Sequence, residues 1–167
     1  MQKRQLVAID TNIALSLATG DESAADALQL IASRMHSAQV LASPTVIQEL
    51  TFQARFDSEM ARRKSARKAL ACFHKHNIQP APLDSTKEAI TEKAADELRH
   101  SGLLPFEERN DAFVIAESAT LNCVLLVSND SHLLDIDPKQ LGLFFREMDL
   151  PAPIIVSPRE LIQKFYR

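Results

Sequence analysis

Four carboxylates, Asp10, Glu49, Asp111 and Asp130, stand where an α/β chain would bring distant side chains together. Asp10 closes the apolar run Leu6-Val7-Ala8-Ile9. Asp130 follows Val124-Leu125-Leu126-Val127 by way of Ser128 and Asn129. Glu49 and Asp111 lie in stretches with helical spacing, Pro44-Thr45-Val46-Ile47-Gln48-Glu49-Leu50 and Asn110-Asp111-Ala112-Phe113-Val114-Ile115-Ala116. In an open parallel sheet, ligands bind beyond the carboxyl ends of the strands. Acids gathered there repel one another unless a cation joins them, and oxygen-only donors select hard cations such as Mg2+ or Mn2+. A single carboxylate holds a hydrated divalent ion weakly, so the chemistry asks for several.

The elements that must position these acids can be read from the same sequence. Leu6–Ile9, Gln39–Ala42, Cys123–Val127 and Ile154–Val156 read as strands, with helical spacing between them. Continuous apolar strands alternating with helices predict a parallel sheet covered on both faces. The expected order is β-α-α-β-α-α-α-α-β, a longer loop or partly helical connection over 135–153, then β-α. A helix that follows a strand begins at the carboxyl edge, which would put Glu49 and Asp111 near the two strand-end acids. Ser23, Ser43 with Pro44, Ser85 with Glu88, and Ser157 with Glu160 read as helix starts. The amphipathic stretch after Ser23 runs to His36, and Pro80 and Pro82 separate two further helices.

Each acid taken singly has a plainer reading. Asp10 fits as the cap of the Asn12–Ala18 helix, and Asp130 as an Asx turn before Ser131–Leu134. Glu49 fits as a solvated helix residue, and Asp111 as a complement to a helix dipole. The four together, in this order on this pattern, are poorly explained as separate accidents.

Composition bounds the answer further. The 167 residues fit one domain, with 46% apolar and 25% charged residues. A formal net charge of −3 does not announce a nucleic-acid partner, which would need a local basic surface. Cys72 and Cys123 are far apart and outside any Cys-x-x-Cys pair, so both read as small buried hydrophobes. The first residues, Met1-Gln2-Lys3-Arg4-Gln5, lead into a run too short for a signal peptide, and no apolar run suits a membrane span. A cytoplasmic protein is the natural expectation. Only three glycines occur, too far apart for a phosphate-cradling loop.

Val7-Ala8-Ile9-Asp10-Thr11-Asn12, Ser43 to Leu50, Asn110 to Ala116 and Leu126-Val127-Ser128-Asn129-Asp130 resemble the four motifs of the PIN-domain nucleases. The resemblance runs from Leu6 to about Ile162 and is greatest to the VapC toxins of bacterial toxin–antitoxin pairs. It implies a three-layer α/β/α sandwich around a parallel sheet, one PIN-like domain over 1–167 with a helical insertion around 53–101. It also implies an Mg2+- or Mn2+-dependent ribonuclease leaving 5′-phosphate and 3′-hydroxyl ends. Asp10, Glu49, Asp111 and Asp130 would hold the metal, Asp10 and Asp111 most directly. Asn12 and Ser128 would orient a carboxylate or meet phosphate. The expected partners are RNA, an antitoxin protein and a second copy of the chain. Leu133 replaces a Phe that the family often has there, and the chain is longer than a typical VapC.

Arg62, Arg63 and Arg67 lie in a locally basic segment from Arg55 to Lys75, which reads as a solvated helix face, as a phosphate-contacting ridge, or as a surface that meets an antitoxin or a second subunit. The five histidines are scattered; His132 reads as a surface residue, and Glu107 and Glu108 as support for the positive end of the Asp111 helix. A haloacid-dehalogenase-type phosphatase would want a second Asp at position 12, where Asn stands. A response-regulator receiver would want an acidic pair near the N-terminus and a Lys after a later strand. The nearer rivals are a PIN-like domain that binds RNA or protein without cutting, and a housekeeping RNA-processing nuclease. Four intact, mutually repelling acids speak against the first.

Overall fold

A computed structural model describes residues 4–35 and 37–165. His36, expected to end the second helix, lies outside the described residues, as do Met1, Gln2 and Lys3. Five parallel strands form one sheet in the order β3-β2-β1-β4-β5. They are β1 (Gln5–Ile9), β2 (Ala38–Ala42), β3 (Ile78–Pro80), β4 (Cys123–Val127) and β5 (Ile154–Val156). Successive strand residues point to opposite faces. Val7, Ala8 and Ile9 are all fully buried, so the centre of the sheet is covered on both sides. The result is the three-layer α/β/α sandwich.

The crossovers carry α1 (Thr11–Thr19), α2 (Glu22–Arg34), α3 (Pro44–Phe56), α4 (Met60–Lys75), α5 (Ser85–His100) and α6 (Arg109–Thr120). The C-terminal part holds α7 (Ser131–Leu134), α8 (Pro138–Glu147) and α9 (Pro158–Phe165). Helix α3 packs on α4 and α6, α5 on α6, α1 on α4, and α2 on α9. Alanines 66, 69, 94, 95, 112, 116 and 119 are buried in α4, α5 and α6, and their small size lets these helices approach closely.

Several local expectations need correction. Strand β3 was not anticipated: it has three residues and ends in Pro80, which an edge strand tolerates because no ladder donor is needed there. The segment around 53–101 is therefore partly strand. Helix α2 starts two residues early, capped by Asp21, whose carboxylate accepts from the Ser23 amide at 2.9 Å. Helix α5 is capped by Asp84, accepting from the Lys87 amide at 2.9 Å, and Ser85 is already helical. The connection before β5 is partly helical, one of the two forms expected for it, because Asp137 caps α8 and Pro138 occupies its first position. The Ser157–Glu160 capping box forms in both directions, at 2.9 and 3.2 Å. Gly20, at φ +81°, ends α1 in the left-handed conformation that a side chain would strain. Of the cysteines only Cys123 is buried, its thiol pushed by desolvation up to about 12, whereas Cys72 is half-buried.

Candidate active site

The chain winds from β1 outward through β2 to β3, then returns to place β4 on the other flank of β1. The strand order thus reverses between β1 and β4, and the crevice of such a sheet opens at their carboxyl ends. Asp10 is the first residue past β1, and its amide still donates to Val127 of β4 at 3.0 Å. Ser128 is the first residue past β4, and its amide donates to Val156 of β5 at 3.1 Å. The backbone itself therefore brings Asp10 and Ser128 side by side.

The plainer reading of Asp10 and the functional one hold together. One oxygen, Oδ1, caps α1 by accepting from the Thr11 amide at 2.7 Å. The other, Oδ2, accepts from the Ser128 hydroxyl at 2.7 Å and from Asn12 Nδ2 at 2.7 Å. Asn12 Nδ2 also reaches Ser128 Oγ at 3.1 Å, and Asn12 Oδ1 accepts from the Asn129 amide at 3.0 Å. The Asp130 amide donates to Ser128 Oγ at 3.0 Å. Asn12 and Ser128 thus orient Asp10 and fix the loop that carries Asp130. Asp130 forms the expected Asx turn, accepting from the His132 amide at 2.7 Å.

Glu49, near the middle of α3, comes to the same place through Thr11, whose hydroxyl donates to Glu49 Oε2. Asp111, in the first turn of α6, keeps one carboxylate oxygen, Oδ2, buried without any hydrogen-bond partner. A buried acceptor left unpaired costs about 1–3 kcal/mol.

Electrostatics ties the four together. Burial is the main cause that raises the Asp10 carboxyl above its ordinary range; its Ser128 and Thr11 donors oppose this, while the charges of Glu49 and Asp130 add to it. Asp111 is pushed to about 7, first by burial and then by Asp10, Asp130 and Glu108, with His132 pulling the other way. Among the described residues, no Lys or Arg pairs with any of the four acids.

Glu108 and His132 have a larger place than the sequence suggested. Glu108 occupies the cap position of α6 but makes no capping bond. Its Oε1 lies 3.3 Å from His132 Nδ1 instead, and one ligand atom each of Glu108, Asp111 and His132 lie within 4.8 Å of one another. The donor set suits a divalent ion: carboxylates with no Lys or Arg partner among the described residues, an orphaned Asp111 oxygen, and an imidazole at the rim. Of the four acids only Asp111 belongs to that close-set trio; Asp10 and Asp130 act on Asp111 through their charge, and Glu49 on Asp10.

The three arginines are not brought to the acids. Arg62 pairs with Glu59 at 3.3 Å on an exposed face, and Arg67 Nε donates to the Ala54 carbonyl near the far end of α3 at 3.1 Å. Arg63 is half-buried on the same helix. Thr11, Thr45 and Glu117 were missed by sequence reading. Thr11 adjoins Asp10 and could have been suspected. Glu117 could not, because a lone Glu in an apolar helix carries no local signal. It is almost wholly buried, and its Oε1 accepts from the Thr45 amide at 3.1 Å and the Thr45 hydroxyl at 2.8 Å. Ser43, at the cap position of α3, stands close to the same carboxylate but makes no well-formed bond. Burial raises the Glu117 carboxyl, and the Thr45 donors offset part of that.

A parallel sheet with a carboxylate cluster at its switch point defines the class of α/β proteins that act on ligands beyond the strand ends. More particularly, the chain belongs to the PIN-domain family, a family of nucleases: the PIN-domain model matches residues 7–139. No curated protein sequence matches the chain. Among solved structures, it is similar to VapBC2 from Rickettsia felis bound to a DNA fragment from its promoter, at 16% identity and TM-score 0.62, covering 92% of this chain and 98% of that one. It is also similar to VapBC-1 from nontypeable Haemophilus influenzae, at 15% identity and TM-score 0.59, covering 93% and 99%. FitAcB from Neisseria gonorrhoeae is similar at 13% identity and TM-score 0.53, covering 91% and 97%. These likenesses carry the fold. Among the described residues, no helix is long and apolar enough to cross a membrane.

Proposed function

We propose that the protein is an Mg2+- or Mn2+-dependent endoribonuclease of the VapC type, acting in the cytoplasm as a homodimer and restrained by a cognate antitoxin protein. The whole chain, 1–167, is one PIN-like domain whose 53–101 segment elaborates the common core. The observation that carries this reading is the gathering of Asp10, Glu49, Asp111 and Asp130 at one strand edge, with no Lys or Arg of the described residues paired to them, His132 at the rim beside Asp130, and Asp111 Oδ2 buried and unpartnered. A bound divalent ion supplies Lewis acidity toward the phosphodiester and a water acidic enough to attack at neutral pH. The chain's own residues do the rest. Asp10 presents a buried carboxylate and Asp111 one buried oxygen, while Glu49 and Asp130 are half-buried. Ser128, Asn12 and Thr11 hold three of these side chains or their loops in place. The VapBC structural likenesses support an antitoxin partner for this chain.

The test is cleavage-site mapping on total cellular RNA, wild type beside Asp10→Asn, with Mn2+ or Mg2+ and with a chelator. The expected result is new 5′-phosphate ends that require the ion and vanish in the variant. Undiminished cleavage by Asp10→Asn would sink the assignment. Ion binding with no cleavage of any RNA would favour the silent binding module.

The basic face of α4 supplies a second measurable expectation. If Arg62, Arg63 and Arg67 contact phosphates, changing all three to Glu weakens RNA binding and lowers its salt slope by about 2, at roughly 0.7 per contact on a single strand. A fluorescence titration over a salt series reads this directly. Unchanged affinity and slope would leave α4 as a merely solvated face.

A further inference from the structure

Two helices, α3 and α6, deliver two of the four acids, and one side chain joins them away from the site. Glu117 of α6 reaches across 72 residues of sequence to the first turn of α3. There it takes the job that Ser43 leaves undone. The opening amides of a helix have no partners within it and carry its positive end. Pro44 has no amide to offer, so Thr45 holds the first free donor of α3, and Glu117 accepts both that amide and the Thr45 hydroxyl, at 3.1 and 2.8 Å. A carboxylate 3% exposed, with hydroxyl and amide donors in place of a cation, is an expensive way to cap a helix. A serine or aspartate at position 43 bonding to its own helix would cap it more cheaply.

The geometry says what the contact adds. Residues four apart stack on one face of a helix. Thr45 and Glu49 are such a pair: the first is held by Glu117, and the second by the hydroxyl of Thr11 beside Asp10. Holding Thr45 by both its amide and its side chain fixes the rotation of α3 about its axis and its depth along it. Those two quantities decide whether Glu49 faces Thr11 and Asp10. An unbroken line of contacts therefore runs from Glu117 through Thr45, one helical turn and Glu49 to Thr11 and Asp10.

We infer that Glu117 is a positioning residue for the acidic site, setting the rotation of α3 so that Glu49 joins Asp10 and Asp111 around the ion. The inference rests on the metal-site reading above, and it distinguishes Glu117 from a cap that only stabilises. A pure cap changes the melting temperature; a positioning residue also changes ion affinity, and does so only while Glu49 can ligate.

The experiment is a double-mutant cycle on Mn2+ affinity, read by electron paramagnetic resonance of the free ion. It uses Glu117→Gln and Glu49→Gln, singly and together, well below each variant's melting temperature. Thr45→Val, which removes only the hydroxyl donor, serves as a milder variant should Glu117→Gln fold poorly. The expected result is a loss of affinity of about 10-fold for Glu117→Gln or Thr45→Val when Glu49 is present, the lower end of the scale for altering a residue that orients a ligand. In the Glu49→Gln background the same changes should do nothing further. Equal losses in both backgrounds, or no loss in either, would overturn the positioning role and leave the metal site standing. A wild type that binds no Mn2+ would overturn the metal-site reading and this inference with it.

Discussion

Asp111→Asn should abolish cleavage and at the same time make the metal-free protein harder to melt. The two effects have one source. Asp111 is pushed to about 7 by burial and by the charges of Asp10, Asp130 and Glu108. At neutral pH the empty site therefore holds an unfavourable charge, and Asn removes it while keeping the shape. A shift of that size corresponds to about 4 kcal/mol; screening of this half-buried group brings it to about 2 kcal/mol. Part of that is lost again because the new amide nitrogen lacks a partner. For a chain of this size a net gain near 1 kcal/mol raises the melting temperature by about 2–4 °C. Cleavage should fall by at least roughly 10²–10³-fold, the scale lost with one preorganised charge-stabilising group. Thermal melts in chelator and cleavage rates in Mn2+ check the two halves separately. A variant that melts lower and cuts normally would contradict both.

The second large effect is on the pH dependence of stability. Asp111, Asp10 and Glu117 all have carboxyls raised above their ordinary range. A carboxyl with a raised folded-state pKa stays protonated in the fold after it has ionised in the unfolded chain. Over that interval the folded state binds more protons, so stability falls as pH rises. For Asp111 the interval runs from its ordinary value of 3.8 to about 7. The metal-free protein should therefore melt at a higher temperature near pH 5 than near pH 8. A divalent ion reverses the trend, because it binds ionised carboxylates and stabilises the fold by mass action. At 100 times its dissociation constant it adds about 2.7 kcal/mol, or about 5–10 °C at this chain length. Calorimetry across that range, with chelator and with Mn2+, gives both curves. A metal-free protein most stable at alkaline pH would contradict the raised carboxyls, and identical curves would contradict the ion.

What could be read beforehand was whatever local order announces. Asp10 and Asp130 stood out because each follows an apolar run, and a strand end is a place as well as a sequence position. Glu49 and Asp111 stood out by order and spacing once the strands were fixed. What could not be read was made by contacts across the chain. Glu117 looks like any helix residue until α3 arrives beside it. In sequence Glu108 reads as a helix-end charge and His132 as a surface residue, and only folding sets them 3.3 Å apart. Asp21 and Asp84 displaced the serines expected to start their helices, because the acid one or two residues earlier formed the better cap. Strand β3 escaped notice because three residues ending in proline carry almost no strand signal until β2 offers an edge.

That same strand has a counterpart in β5, and the two form the outer borders of the sheet with three residues each. Pro80 withholds one amide from the first border. A visiting peptide seeking to extend the sheet by main-chain pairing would find only a short template on either side. Main-chain pairing at either border is thereby held to a stretch of a few residues, too short to align a long foreign strand.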